Sequence, residues 1–395
     1  MKLKLIGDAG TGKTYTLLRY AQTFQDSIVL SHTTAAVREF LSRMKGNGVK
    51  VRTIHSIACS TLCKHDKLFR ELFLRTEKAG GIEAVRHRFC RLKGIPYSPD
   101  PYTPDLGKKF FSAYSKAVNT CYPDFPEIPD KLARLIHEYE QFKLQRGYVD
   151  YEDMLKWIAE KSELLPECEA LIVDEAQDLS PLQWRIVSSF DTNVFIAAGD
   201  ELQAIFSFQG AEPSLFRNFP ANTKILKKTF RIPEEIWKFA GKIIRNQLRR
   251  RRAKAVEDGG EVVLLKPMTL EEIARMVAAE KRTLVLLRHN CDVLLLSSIL
   301  HDLNVEHDLA KEGPNGAKIV LDTIHSMKGR EADRVILVDG IRNGIRNGTE
   351  EEARVWYVGA TRARKRLVIA PLKDEGVRHF LTPIAENAGI SMEAV

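Results

Sequence analysis

The chain has 395 residues, more than a single core of ~150 residues usually serves, so two or more domains are expected. With 44% hydrophobic and 28% charged residues it reads as globular, and its net charge of +8 suits a polyanion partner without proving one. The opening MKLKLIGDAG has too short an apolar run for a secretory signal, and TLVLLRHNCDVLLLSSIL is broken by Arg288, His289, Asn290 and Asp292; neither export nor a membrane span is expected, and the reading is cytoplasmic.

Lys2 to Ile6 reads as a short strand, followed by a glycine-bearing loop, a helix-like pattern from Lys13 to Phe24 and a second strand from Ser27 to Ser31. Strand, loop, helix and strand begin a parallel sheet. The loop, Gly7-Asp8-Ala9-Gly10-Thr11-Gly12-Lys13-Thr14, fits G-x-x-x-x-G-K-[ST] and opens a helix directly after a strand, as that motif requires. Its glycines let backbone N–H groups turn toward phosphate oxygens, Lys13 reaches the terminal phosphates, and the Thr14 hydroxyl suits magnesium.

Between 62 and 148 the pattern changes to charged amphipathic helices such as KLARLIHEYEQFKLQ, and the prolines of IPYSPDPYTPD stop any helix there. A mainly helical insertion is expected. The six cysteines form no C-x-x-C pair; reduced thiols packed in the core are one reading, and a four-thiolate site from Cys59, Cys63, Cys90 and Cys121 is the other.

ALIVDEAQD (170–178) and NVFIAAGD (193–200) are apolar runs that end in acids, as buried parallel strands do where ligands gather at their carboxyl ends. Asp174 is placed to hold magnesium through water, and Glu175 to act as general base. GDELQAIFSFQGA follows with Gln203 as a γ-phosphate sensor. Phe206 and Phe208 would share one face of an extended segment, either as core or as base-stacking rings.

From 223 onward EVVLL, RTLVLLR, KIVLDTIHS, RVILVDG and RLVIA alternate with helices, which predicts a second α/β lobe over 223–395 after a first over 1–222. QLRRRRAKAVEDGG is a solvated helix end or a phosphate tracker, and IRNGIRNG a glycine-rich loop. VWYVGATRARKRL, read as one buried strand or helix edge, gathers cations that call for an anion.

In order, GDAGTGKT, TIHS (53–56), DEAQD, GDELQAIFSFQGA, TFR (229–231), TIHSMKGREAD and YVGATRARKRL resemble the signature motifs of superfamily 1 DNA helicases of the UvrD/Rep branch. The resemblance implies an α/β fold of two RecA-like P-loop NTPase lobes, parallel sheets flanked by helices, with the helical insertion in the first. It implies that ATP with Mg2+ lies between the lobes and is met by Arg362, with Arg231 as a second cation. Arg364, Lys365 and Arg366 have weaker claims. Phe230 would stack on the base where tyrosine is usual, and Gly329 with Glu331 would contact ribose and phosphate. Ser31, His32, Thr33, Thr53, His55, Phe206, Phe208, Thr323, His325 and Ser326 would track single-stranded DNA without reading sequence.

Three departures stand out. The family's adenine-recognition glutamine lies upstream of the P-loop, whereas this chain begins six residues before it. His32 stands where an aromatic is common and Gln209 where an arginine is common. Only a short linker, roughly 304–317, stands where relatives carry a large second-lobe insertion, while GYVDYEDML resembles the return from the first-lobe insertion. The resemblance implies a minimal 3′ to 5′ translocase or helicase on single-stranded DNA, tailed duplex included. An RNA helicase or remodeller, or a nucleotide-gated adaptor without turnover, are the competing readings. No nuclease signature follows Leu367.

Overall fold

The runs that are apolar on both faces become buried parallel strands. The computed structural model describes residues 1–31, 34–43, 48–121, 129–245, 253–280, 282–310, 317–342 and 350–394. Its first sheet runs in the order Val49–Thr53, Ser27–Ser31, Cys168–Val173, Thr192–Gly199, Lys2–Gly7, Asn222–Leu226. Adjacent strands from Val49–Thr53 through Lys2–Gly7 pair in parallel. The second sheet is seven-stranded and parallel throughout, with Thr283–Leu287, Ile319–Thr323, Ala332–Asp339, Ala363–Pro371 and Glu261–Leu265 at its centre. Every residue of Ser27–Ser31 and of Thr283–Leu287 is buried, as strands covered on both faces must be. The α/β expectation holds: two RecA-like lobes, each a parallel sheet with flanking helices.

By their contacts the residues form two compact units: 1–6, 13–100 and 104–225, and then 7–12, 101–103 and 226–395. In the first, one core joins strand residues Leu30, Leu171 and Phe195 to Phe69, Phe89, Phe111, Tyr139 and Ile158 of the helical region. That region comprises Ile54–His65, Lys67–Lys78, Gly81–Leu92, Leu106–Cys121, Asp130–Arg146 and Tyr151–Glu160. Asp150 opens the last of these helices with a capping box shared with Asp153. Both carboxylates also accept from the buried Lys143 ammonium, at 2.9 and 2.7 Å, and the Lys143 ammonium donates to the Tyr114 hydroxyl.

The expectation of one element over VWYVGATRARKRL is corrected. It is a helix, Glu350–Ala360, a turn at Thr361 and Arg362, and then the strand Ala363–Pro371. The Thr361 hydroxyl donates back to Val358 O at 3.0 Å and the Arg362 amide to Gly359 O at 3.1 Å, so the helix closes before the strand begins. The helix predicted over 13–24 ends earlier, at Ala21. No helix among the described residues is long and apolar enough to cross a membrane.

Candidate nucleotide and strand-binding site

The strand Lys2–Gly7 delivers the chain into a turn in which the Thr11 hydroxyl and amide both donate to Asp8 O, and the helix that follows begins at the buried Lys13. Gly10 has φ 71°. A Cβ there would lie 2.6 Å from Thr229 Oγ1 and 2.8 Å from Arg231 Cβ, so both conformation and close approach demand glycine. Residues 7–12 group with the second unit, whose atoms hold them. The Phe230 amide donates to Gly10 O, the Thr229 hydroxyl to Ala9 O, and the Ala253 amide to the Asp8 carboxylate.

In the first unit, Asp174 follows the strand Cys168–Val173, is buried, and accepts from the Glu175 amide at 3.0 Å. Glu175 has φ 53° and ψ 41°, a left-handed backbone that a non-glycine residue adopts at a cost of about 1 kcal/mol or more. Such strain at a strand end bearing an acid is characteristic of a functional position. The sequence reading missed Gln177, although it lies inside DEAQD. Fully buried, it donates to the Glu175 and Asp178 carboxylates and accepts from the Asp200 amide at 2.9 Å. A Cβ on Gly199 would lie 2.5 Å from Gln177 Oε1, so the next strand end is glycine to admit this amide. Asp200 in turn accepts from the buried Gln203 side chain at 2.8 Å. Glu175, Gln177, Asp200 and Gln203 thus form one hydrogen-bonded chain across two strand ends.

The second unit gathers guanidinium groups. Arg362 is 2% exposed and donates to Val358 O at 2.9 Å, to Arg330 O and to Thr361 Oγ1. It therefore lies against the last carbonyls of its helix, where the macrodipole favours a cation. Arg231 pairs with Glu331 at 3.0 Å and donates to Thr361 O. Glu331 also accepts from Arg364. Lys365 pairs with Asp333 and Arg366 with Glu261, the ordinary fate of strand-flanking cations. Phe230 is 58% exposed, and Gly329, at φ 90°, has open space around it.

Of the residues expected to contact the strand, Thr53 caps the helix Ile54–His65 by accepting from the Ser56 amide. His55 packs edge-on to Tyr151, and burial pushes its pKa below the ordinary histidine value. Ser31 and His55 line a polar cavity of about 230 Å3 together with Asn119, Asp178, Ser180 and Gln209. The Ser31 hydroxyl is buried there without a hydrogen-bond partner among the described residues. Thr323 Oγ1 lies 2.9 Å from Ser326 Oγ and closes the turn that carries His325. His32 and Thr33 lie outside the described residues, as do 246–252 of the basic run and 343–349 of the glycine-rich loop.

The extended reading of 206–208 is corrected. Ser207–Gln209 is a 3-10 turn, which buries Phe206 at 9% exposure and leaves Phe208 at 43%; the rings lie 5.9 Å apart. Among the described residues no group of three or more His, Cys, Asp and Glu is placed to hold a metal ion. Cys59, Cys63 and Cys90 are free thiols packed on the first core, and the Cys121 side chain lies outside the described residues. Burial beside Cys63 pushes the Cys59 thiol up to about 12.

Residues 1–224 match the model of the UvrD/REP helicase N-terminal domain, and 288–374 that of the UvrD-like helicase C-terminal domain. The putative ATP-dependent DNA helicase YjcD of Bacillus subtilis is 25% identical over 316 residues, covering 70% of this chain and 41% of that protein. DNA helicase IV of Escherichia coli is 28% identical over 254 residues, covering 53% and 35%. ATP-dependent DNA helicase UvrD2 of Mycobacterium tuberculosis is 24% identical over 284 residues, covering 61% and 41%. The matches span well under half the length of these relatives.

Proposed function

The chain belongs to the UvrD/REP helicase family, and from that premise we propose that it is an ATP hydrolase that moves along single-stranded DNA, 3′ to 5′. The observation that carries this reading is the strained Glu175 tied through Gln177 and Asp200 to Gln203, beside a buried Asp174. Such an arrangement fixes a base and a polar sensor at the carboxyl ends of two central strands, which hydrolysis requires and mere nucleotide storage does not.

In this reading the loop of Gly7, Ala9, Gly10, Thr11 and Gly12 cradles phosphate, Lys13 neutralises it, and Phe230 stacks on the base. Gly329 and Glu331 meet the sugar and phosphate. The hard oxygens of Thr14 and Asp174 suit Mg2+, which would offset phosphate charge. Glu175 takes the proton from the attacking water, Gln203 orients that water, and Arg231 and Arg362 stabilise the charge that develops on the transferred group; an arginine in this role is worth ~10³–10⁵ in rate. Ser31, His32, Thr33, Thr53, His55, Phe208, Thr323, His325 and Ser326 hold the strand by hydroxyl, imidazole and ring contacts that read no sequence, and Phe206 supports Phe208 from below.

The test is ATP hydrolysis in the presence of DNA or RNA oligomers of matched sequence, followed by displacement of duplexes bearing a 3′ or a 5′ overhang. Activation by DNA and displacement only from the 3′-tailed duplex is the expected result. Equal activation by RNA would move the assignment to an RNA motor, and no activation by either would refute the proposal.

A further inference from the structure

Residues 101–103 interrupt the helical region of the first unit in sequence yet group with the second unit. Tyr102, held between Pro101 and Pro104 in the loop after Gly81–Leu92, is fully buried in the second core with Val285, Leu321 and Ile336. A buried tyrosine ring brings a hydroxyl that must find an acceptor. Here the hydroxyl donates to Asp322 Oδ2 at 3.0 Å. Asp322 is itself fully buried, stands in the strand Ile319–Thr323, and accepts the Thr323 amide on its other oxygen. Thr323 then holds Ser326 and the turn that carries His325.

We propose that Tyr102 is a positioning residue for the 323–326 turn, acting through the Asp322 carboxylate. A buried carboxylate keeps a fixed orientation only while donors occupy its oxygens. One oxygen of Asp322 is taken by the residue it must orient, and the other by the tyrosine. Remove the hydroxyl, and the carboxylate rotates toward other donors and takes the Thr323 amide with it. The ring alone satisfies the packing; the hydroxyl sets the turn. The proposal rests on the strand-binding role given above to Thr323, His325 and Ser326.

The experiment uses the full chain with Tyr102→Phe and Asp322→Asn, the second retaining a carbonyl oxygen that accepts from the Thr323 amide and an N–H that donates to the tyrosine hydroxyl oxygen. Two readouts are needed: backbone amide exchange over 323–326, and the Kd for a single-stranded oligothymidylate. Tyr102→Phe is expected to speed exchange and raise Kd, each about tenfold, as loss of one buried hydrogen bond to a charged group implies. The KM for ATP without DNA should stay unchanged, and Asp322→Asn should remain within about twofold of wild type. A lower melting temperature with unchanged exchange and Kd would reduce Tyr102 to packing and overturn the inference. Faster exchange with an unchanged Kd would show that the hydroxyl orders the turn without that order serving the strand, which removes the binding role from Thr323, His325 and Ser326 and with it the inference. A wild-type chain that binds no single strand would sink both.

Discussion

The first unit ends its strands in Asp174, Glu175 and Asp200, with the amides of Gln177 and Gln203 among them, while the second brings Arg231 and Arg362 to its own strand and helix ends. The acidic group is tied through its own side chains and the Asp200 main-chain amide, and Glu175 carries backbone strain. Arg362 is instead held by main-chain carbonyls and a hydroxyl, and its backbone is not in the left-handed region. In the proposed function one framework serves opposite chemistry: a base must be aimed at one water, whereas a guanidinium needs only to be presented rigidly. Substitutions should therefore be felt differently on the two sides.

The largest effects are expected at Glu175 and at Arg362. Glu175→Gln should lower the rate of phosphate release by ~10²–10⁴ with little change in ATP affinity. Arg362→Ala should lower it by ~10³ or more, and Arg362→Lys should not restore it, because an ammonium cannot reproduce a planar fork that reaches two carbonyls and a hydroxyl. Recovery of activity in Arg362→Lys would show that charge alone matters there.

Stability separates the helical region from both. Lys143→Met leaves the buried Asp150 without its ammonium partner and Asp153 with Lys156 alone, and should cost about 3–5 kcal/mol in denaturant unfolding. Burial opposes charge on Asp153, but the ammonium groups of Lys143 and Lys156 outweigh it and hold that carboxyl below its ordinary range. A depressed carboxyl contributes stability above its unfolded pKa and loses it on acidification. The stability advantage of wild type over Asp153→Asn should therefore be full at pH 7 and shrink as pH falls below about 4; an advantage that grows on acidification would contradict the assignment.

Smaller effects test single contacts. Gln177→Ala should reduce kcat about tenfold with the fold intact, since it removes the tie between Glu175 and the Asp200 amide. Phe208→Ala should weaken single-strand binding by ~1–3 kcal/mol. Phe206→Ala should appear mainly as lost stability, in keeping with the burial of its ring. Equal effects of the two on DNA affinity would restore the reading in which both rings face the strand.

What the sequence disclosed follows from how far apart the cooperating residues lie. The phosphate loop needs eight consecutive residues, and its turn, glycines and helix start were legible at once. The strands buried on both faces were legible as apolar runs, whereas Val49–Thr53 and Asn222–Leu226, at the two ends of the first sheet and with most of their residues not buried, were not. Gln177 sits within a recognised motif, but its role depends on Asp200 and on the absence of a side chain at Gly199, which no local pattern discloses. Tyr102 and Asp322 are separated by 220 positions and could be paired only in space. Alternation suggested an extended segment at Phe206 and Phe208, yet the 3-10 turn over Ser207–Gln209 rotates one ring inward.

The most direct measurement is steady-state phosphate release from ATP by wild type and Glu175→Gln as single-stranded DNA is titrated in. The account predicts a wild-type rate that climbs to saturation with added strand, against a Glu175→Gln rate that stays at background throughout. A wild-type rate indifferent to DNA, or one matched by Glu175→Gln, would contradict it.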